Sequence, residues 1–407
     1  MTCGLLGRKL GHSYSPQIHS RLATYDYVLF EKEPEALEEF LRTGPFSGLN
    51  VTTPYKKDVI PYLDELTPTA ARLGAVNTIV RRNGRLIGHN TDYFGFLTMV
   101  RTSGLDVTGK KVLVLGSGGA SNTAVAVLEE LGAHVVIISR SGENNYGNLC
   151  RHADTAMIVN TTPVGMFPNT ERSPVDLKLF PKLEGVLDVI YNPARTMLLR
   201  QAEALDLPAV NGLLMLVAQA KEAAEWFSGH SLDDSLILTI HQELRQQVEN
   251  IILIGMPGCG KSTIGREIAR CLGKQFVDAD DTIEKVAKCS IAEIFAKHGE
   301  LGFRELETTV LGELGKQSGL VIATGGGCVT RHENYSLLHQ NGKLFWIQRD
   351  LAELPTDGRP LSQSGKLEEM YRIRKPLYES FADHSIENDG SIEAAVAEII
   401  RIWEECV

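Results

Sequence analysis

Two glycine-rich stretches carry residues whose types and spacing suit phosphate. Residues 251–263, IILIGMPGCGKST, end an apolar run in a loop of the pattern G-x-x-x-x-G-K-S. Successive backbone N–H groups in such a loop form an anion nest. Gly258, Cys259, Gly260 and Thr263 would line it, Lys261 would reach the β- and γ-phosphates of a nucleoside triphosphate, and Ser262 would ligate Mg2+. The apolar run before it and the helical pattern TIGREIARCL after it supply the context the motif needs. Residues 111–121, KVLVLGSGGAS, repeat the logic for a different ligand. Here Gly116, Ser117, Gly118, Gly119 and Ala120 join a buried strand to a helix, and a dinucleotide pyrophosphate would sit on that helix N-terminus. The pattern is G-x-G-G-x-S rather than G-x-G-x-x-G, and an ordinary strand-to-helix turn is the competing reading. The next apolar run, HVVIISR, ends in Ser139 and Arg140. A basic residue there suits a 2′-phosphate, so NADP is expected over NAD.

Further chemistry-bearing residues cluster around each loop. Before the first, GHSYSPQIHS offers Ser13 and Ser15, GLNVTTPYKKD offers Thr52 and Lys56, GAVNTI offers Asn77, and GHNTDYFG offers Asn90, Thr91 and Asp92. Singly each reads as a turn or cap. Together they supply hydroxyls, amides, one amine and one carboxylate, a set that fits a small polyhydroxylated acid. After the second loop come Asp278 and Asp280 in FVDADD, Arg304 in FRELE, Gly326 in ATGGGCV, Arg359 in DGRPLS and Arg374 in RIRKPLYES. Asp278 and Asp280, two apart after a strand, would face the same side of an extended backbone. Guanidinium groups suit both carboxylate and phosphate. Surface ion pairs are the competing reading for Arg304 and Arg374.

The elements that must hold these residues are apolar runs alternating with helical patterns, which predicts parallel sheets with crossover helices. At 407 residues the chain exceeds one ordinary core, so two or three α/β domains are expected. The stretch NGLLMLVAQAKEAAEWFSG reads as a helix stopped by Gly229. A net charge of −10 argues against nucleic acid as a partner. No run approaches the roughly 20 apolar residues that would span a membrane, and the N-terminus lacks a signal-peptide pattern. The seven cysteines are scattered without a C-x-x-C pair, which predicts a reduced, cytoplasmic protein.

The motifs of residues 1 to about 235, with NTTPVGM, DVIYNPARTMLL and NGLLMLVAQA in order after them, resemble shikimate dehydrogenase. The resemblance implies NADP-dependent reduction of 3-dehydroshikimate to shikimate. It assigns Ser13 and Ser15 to the substrate carboxylate, Thr52, Asn77 and Gln219 to its hydroxyls, Lys56 and Asp92 to the catalytic pair, and Val189 and Gly212 to the cofactor. It also implies a substrate unit over 1–92, completed by helices from about 211–240, and a Rossmann-like unit over 93–210. Two departures stand out: no second basic residue follows Arg140, and the segment after it is short. After a linker at 241–250, residues 251–407 carry motifs that resemble shikimate kinase, a P-loop fold with a parallel sheet. This implies ATP and Mg2+. Asp280 would bind shikimate and take its hydroxyl proton, Arg304 and Arg374 would grip the carboxylate, and Gly326 would give a backbone contact. Asp278 would join Ser262 around Mg2+, and Arg359 would close over the transferring phosphoryl group. The lid holds Leu354 and Pro355 where the family often has a further arginine. The alternatives are a dehydrogenase that accepts quinate and NAD, and a kinase half that senses nucleotide without transferring phosphate. The oligomeric state is left open.

Overall fold

The computed structural model describes residues 1–11, 13–354 and 366–405. The chain divides into two compact units, Met1–Tyr191 with Thr196–Leu244, and Asn192–Arg195 with Arg245–Val407. The division falls inside the helix Ser235–Val248.

The first unit holds two sheets. One is built from β1 (Thr2–Gly7), β2 (Asp26–Glu31), β3 (Gly48–Val51), β4 (Glu65–Leu66), β5 (Thr78–Arg82) and β6 (Arg85–His89), in the order β2-β1-β3-β5-β6-β4. It is mixed rather than wholly parallel: β5 runs antiparallel to both β3 and β6. The cause is local. Asn83 and Gly84 join β5 to β6 with φ of 51° and 77°, the two-residue turn whose twist matches a hairpin, and a loop that short cannot connect parallel strands.

The second sheet contains β7 (Lys111–Leu115), β8 (His134–Ile138), β9 (Met157–Asn160), β10 (Gly185–Asp188) and β11 (Ala209–Val210), ordered β11-β10-β9-β7-β8 and parallel throughout. β7 is buried on both faces. Val112 and Val114 join one apolar cluster, and Leu113 and Leu115 join the other. That is why its sequence is continuously apolar rather than alternating. The strand order reverses at β7, so the Gly116–Gly119 loop opens at the crevice where such sheets bind ligands.

Two helices tie the site together. A Cβ on Gly95, in the helix Asp92–Thr102, would stand 2.7 Å from the Met215 carbonyl oxygen and 2.9 Å from Gln219 Cβ. Glycine therefore lets this helix meet Leu213–Ser228 at backbone distance, and Gly229 closes the latter at φ 75°.

The second unit is a five-stranded parallel sheet of β12 (Asn250–Ile254), β13 (Gln275–Asp278), β14 (Leu320–Ala323), β15 (Gly342–Gln348) and β16 (His384–Glu387), ordered β13-β14-β12-β15-β16. Ile251–Ile254 are fully buried at its centre. The phosphate-type loop leaves the C-terminal end of this central strand and enters the helix Lys261–Leu272.

Candidate active sites

The first unit contains a cavity of about 310 Å³. Ser13, Ser15, Thr52, Lys56, Asn77 and Asp92, read from the sequence, line it together with Gln219, which the resemblance implied, whereas Asn90 and Thr91 lie outside the lining. They come from five segments. Ser13 and Ser15 lie at the start of the helix Ser15–Leu22, and Thr52 and Lys56 follow β3. Asn77 precedes β5, Asp92 opens its helix, and Gln219 comes from Leu213–Ser228.

Lys56 Nζ donates to Asp92 Oδ2 at 2.6 Å, with side chains 27% and 13% exposed. Half-withdrawn from water, the pair holds the ammonium at the cavity edge while leaving it reachable. The amides are fixed by a buried network. The Thr91 N–H donates to Asn77 Oδ1 at 2.7 Å, and Asn77 Nδ2 donates to Thr91 Oγ1 at 3.0 Å. Gln219 Nε2 donates to the Leu216 carbonyl at 2.8 Å. Satisfied buried amides of this kind present a single face.

Asn50 and Tyr191 also line the cavity, and neither was singled out in the sequence. Asn50 lies inside the GLNVTTPYKKD stretch, so composition alone pointed near it. What fixes its amide is tertiary: the Tyr27 hydroxyl donates to Asn50 Oδ1 at 2.7 Å. His19, outside the lining, stacks on Tyr27 at 4.1 Å, and burial pushes its imidazole down to about 3, so it stays neutral.

Ala120, Val189 and Gly212 line the same cavity, which joins it to the β7 glycine loop. A Cβ on Gly212 would fall 2.1 Å from the Val189 carbonyl oxygen. Gly118 caps the helix Gly119–Glu130 without a side-chain hydrogen bond, and a Cβ on Gly118 or Gly119 would meet nothing within 4 Å. That open helix N-terminus, with Gly116 at φ 111°, fits a pyrophosphate. Ser139 and exposed Arg140 follow β8 directly. Gly116–Gly119, Ser139 and Arg140 lie outside the cavity lining.

In the second unit Lys261 Nζ is buried and donates to the carbonyls of Gly255 and Met256 at 2.9 and 3.0 Å. Gly258 and Gly260 have φ of 87° and 102°, the left-handed backbone that turns successive N–H groups inward. Ser262 Oγ donates to Asp278 Oδ2 at 2.7 Å. This hydroxyl–carboxylate pair beside the loop suits Mg2+.

Asp278 and Asp280 do not share an extended backbone as their spacing suggested. Asp278 ends β13 and caps the helix Ala279–Ala287, accepting the Asp280 N–H at 3.0 Å. The capping carboxylate starts the helix at once, so Asp280 lies in its first turn. Asp280 is raised to about 6, first by burial and then by the nearby charges of Asp278 and Glu307. Its Oδ1 is buried without a hydrogen-bond partner among the described residues, as is Arg304 Nε.

Arg304 Nη1 donates to fully buried Glu307 at 2.7 Å, and burial raises the Glu307 carboxyl. Glu307 was not among the site residues read from the sequence, although it stands three positions after Arg304 in FRELE. Arg374 Nη1 donates to the Gly326 carbonyl at 3.1 Å. The three glycines have separate reasons. A Cβ on Gly325 would lie 2.8 Å from Asp280 Oδ1, on Gly326 2.6 Å from Pro257, and on Gly327 2.1 Å from Arg304 Nη2. Unsatisfied donor and acceptor atoms thus converge on a bare backbone, an arrangement that can hold an anion next to a hydroxyl. Arg359 and Pro355 lie outside the described residues.

Comparison with known proteins matches each unit separately. The family model for the shikimate dehydrogenase substrate binding domain matches residues 5–79, and that for shikimate kinase matches residues 257–404. The chain is 37% identical over 264 residues to shikimate dehydrogenase (NADP(+)) of Clostridium perfringens strain SM101, covering 60% of this chain and 97% of that protein. Among solved structures, shikimate dehydrogenase 1 of Peptoclostridium difficile is 37% identical with a TM-score of 0.56, over 60% of this chain and 97% of that one. A chorismate mutase/shikimate 5-dehydrogenase fusion protein of Clostridium acetobutylicum is 34% identical with a TM-score of 0.58, over the same 60% and 97%. Shikimate 5-dehydrogenase of Thermus thermophilus, in complex with NADP(H) and shikimate, is 31% identical with a TM-score of 0.54, covering 60% of this chain and 99% of that one.

Proposed function

The chain belongs to the shikimate dehydrogenase family over its amino-terminal 60% and carries a shikimate kinase domain after it, and from that footing we propose that it catalyses two consecutive steps. The first reduces 3-dehydroshikimate to shikimate with NADPH. The second phosphorylates shikimate on its 3-hydroxyl with ATP.

In the first step Ser13 and Ser15 hold the substrate carboxylate, and Thr52, Asn77 and Gln219 bind its hydroxyls. Lys56 donates a hydrogen bond to the ketone oxygen and passes it a proton as the carbonyl carbon is reduced. Asp92 holds the Lys56 ammonium, 2.6 Å away, toward that oxygen. Gly116–Ala120, Ser139, Arg140, Val189 and Gly212 would hold the cofactor, and NADPH when bound supplies the hydride.

In the second step Arg304 and Arg374 grip the shikimate carboxylate, and Gly326 meets the ring through its backbone. Asp280 takes the proton of the 3-hydroxyl as that oxygen bonds to the γ-phosphorus and ADP leaves. A carboxyl near 6 is ionised at neutral pH yet basic enough for this. The nest of Gly258, Cys259, Gly260, Ser262 and Thr263 cradles the phosphates, Lys261 neutralises the migrating charge, and Arg359 is assigned to the lid. Ser262 and Asp278 would hold Mg2+, which supplies further charge neutralisation.

One observation carries each half. For the reductase it is the set of seven polar residues around one cavity with the Lys56–Asp92 pair at its edge. For the kinase it is the unpartnered Asp280 oxygen beside Arg304. The test is a coupled assay with 3-dehydroshikimate, NADPH and Mg-ATP. Both NADPH oxidation and shikimate 3-phosphate are expected. Oxidation that stops at shikimate would overturn the kinase assignment, and faster turnover with quinate and NAD would overturn the reductase assignment.

A further inference from the structure

Resting on the reading of the second unit as a nucleotide-binding kinase, we propose that Asn388 is a positioning residue that sets the phosphate loop in its binding conformation. Asn388 follows β16 directly and is buried. Its backbone N–H donates to the Gln348 carbonyl at the end of β15, 2.9 Å away, so the sheet holds it in place. Its side-chain Nδ2 donates to the carbonyl of Cys259, in the middle of the loop, at 2.8 Å.

The consequence follows from peptide geometry. The Cys259–Gly260 bond is not among the cis peptides of the described residues. In a trans peptide the C=O and the next N–H point in opposite directions. Drawing the Cys259 carbonyl toward Asn388 therefore aims the Gly260 N–H away from it, to the side where the nest must offer donors. The Cys259 N–H, which belongs to the preceding peptide, is drawn back to the Met256 carbonyl at 3.3 Å, so among these bonds the Asn388 amide is what holds the Cys259–Gly260 peptide.

Gly260 is required on two counts: φ is 102°, and a Cβ would stand 2.8 Å from Asn388 Nδ2. A flip of the Cys259–Gly260 peptide rotates ψ of Cys259 and φ of Gly260, and glycine at 260 makes it cheap. A flipped Cys259–Gly260 peptide would turn a carbonyl oxygen toward the phosphates in place of a donor. The Asn388 amide opposes that flip before nucleotide arrives, which is preorganisation.

The experiment uses the full chain and Mg-ADP as probe, with affinity read by calorimetry. Wild type must bind Mg-ADP; failure there refutes the nucleotide reading itself, separately from this inference. Asn388→Ala and Asn388→Leu are compared, since leucine keeps the volume and lacks the donor. Both are expected to bind Mg-ADP three- to tenfold more weakly, the value of one neutral hydrogen bond. The KM for ATP should rise in step, with the KM for shikimate unchanged and the thermal transition of Asn388→Leu close to wild type. Full recovery of affinity by Asn388→Leu would show that the residue only fills space and would overturn the proposal. So would unchanged affinity in both variants.

Discussion

Asp280→Asn tests the chemistry and the energetics of the kinase site together. Asp280 is raised from an ordinary 3.8 to about 6. Holding it ionised in the fold thus costs about 3 kcal/mol at neutral pH. The sign follows from proton binding. Between 3.8 and about 6 the folded state holds the proton more tightly than the unfolded state, so this group lowers stability as pH rises through that window. The asparagine carries no charge and keeps nearly the same shape beside Asp278 and Glu307. It should raise the melting point of the kinase unit at pH 7.5 by on the order of 6–12 °C. At pH 5 the advantage should fall to roughly half, because wild-type Asp280 is then mostly protonated in the fold. Phosphoryl transfer should drop at least about 100-fold for want of a base, with Mg-ADP still bound. The assay is calorimetric unfolding of the full chain at both pH values. The kinase transition is identified as the one Mg-ADP raises, and single-turnover transfer is measured alongside. A melting point unchanged or lowered at pH 7.5 refutes the buried-charge argument. Transfer retained within tenfold refutes Asp280 as the base. In wild type, kcat/KM for shikimate should fall below a pH near 6.

Lys56→Ala should cut kcat/KM for 3-dehydroshikimate by about 10²–10⁴ while the kinase rate in the same sample stays at wild type; a loss under tenfold in NADPH oxidation would remove Lys56 from proton transfer. Gly327→Ala would push a methyl to within 2.1 Å of Arg304 Nη2 and displace the guanidinium. The KM for shikimate should rise about 10- to 150-fold, the value of a charge-assisted hydrogen bond, with the KM for ATP unchanged. Equal weakening of both substrates would point to a general collapse of the site instead.

Local signals account for the fold class. The apolar runs of β7 and β12 are buried on both faces, and only parallel sheets covered by helices bury strands that way. The Asn83–Gly84 dipeptide marks the hairpin that makes the first sheet mixed, a signal as strong as the strand runs around it. The D-x-D spacing misled because a strand period was carried past the point where Asp278 caps a helix. Glu307 and Asn50 stood inside stretches already singled out, yet their weight comes from groups distant in sequence: Glu307 adds a like charge beside Asp280, and Asn50 accepts from Tyr27. Asn388 gave no signal, since a lone asparagine after a strand reads as a turn.

The sequence by itself determined which chemistries this protein can perform: phosphate nests from glycine spacing, an amine with a carboxylate, and guanidinium groups near an acid. Those are properties of residue types and short spacings, and they survive without a fold. Only the tertiary structure decided which groups meet and what state they hold. The 2.6 Å approach of Lys56 to Asp92 needs the helix Asp92–Thr102 to be seated. The raised carboxyl of Asp280 needs water excluded and two other carboxylates nearby. Distance and desolvation are set by packing between segments far apart in the chain, and no local pattern encodes them.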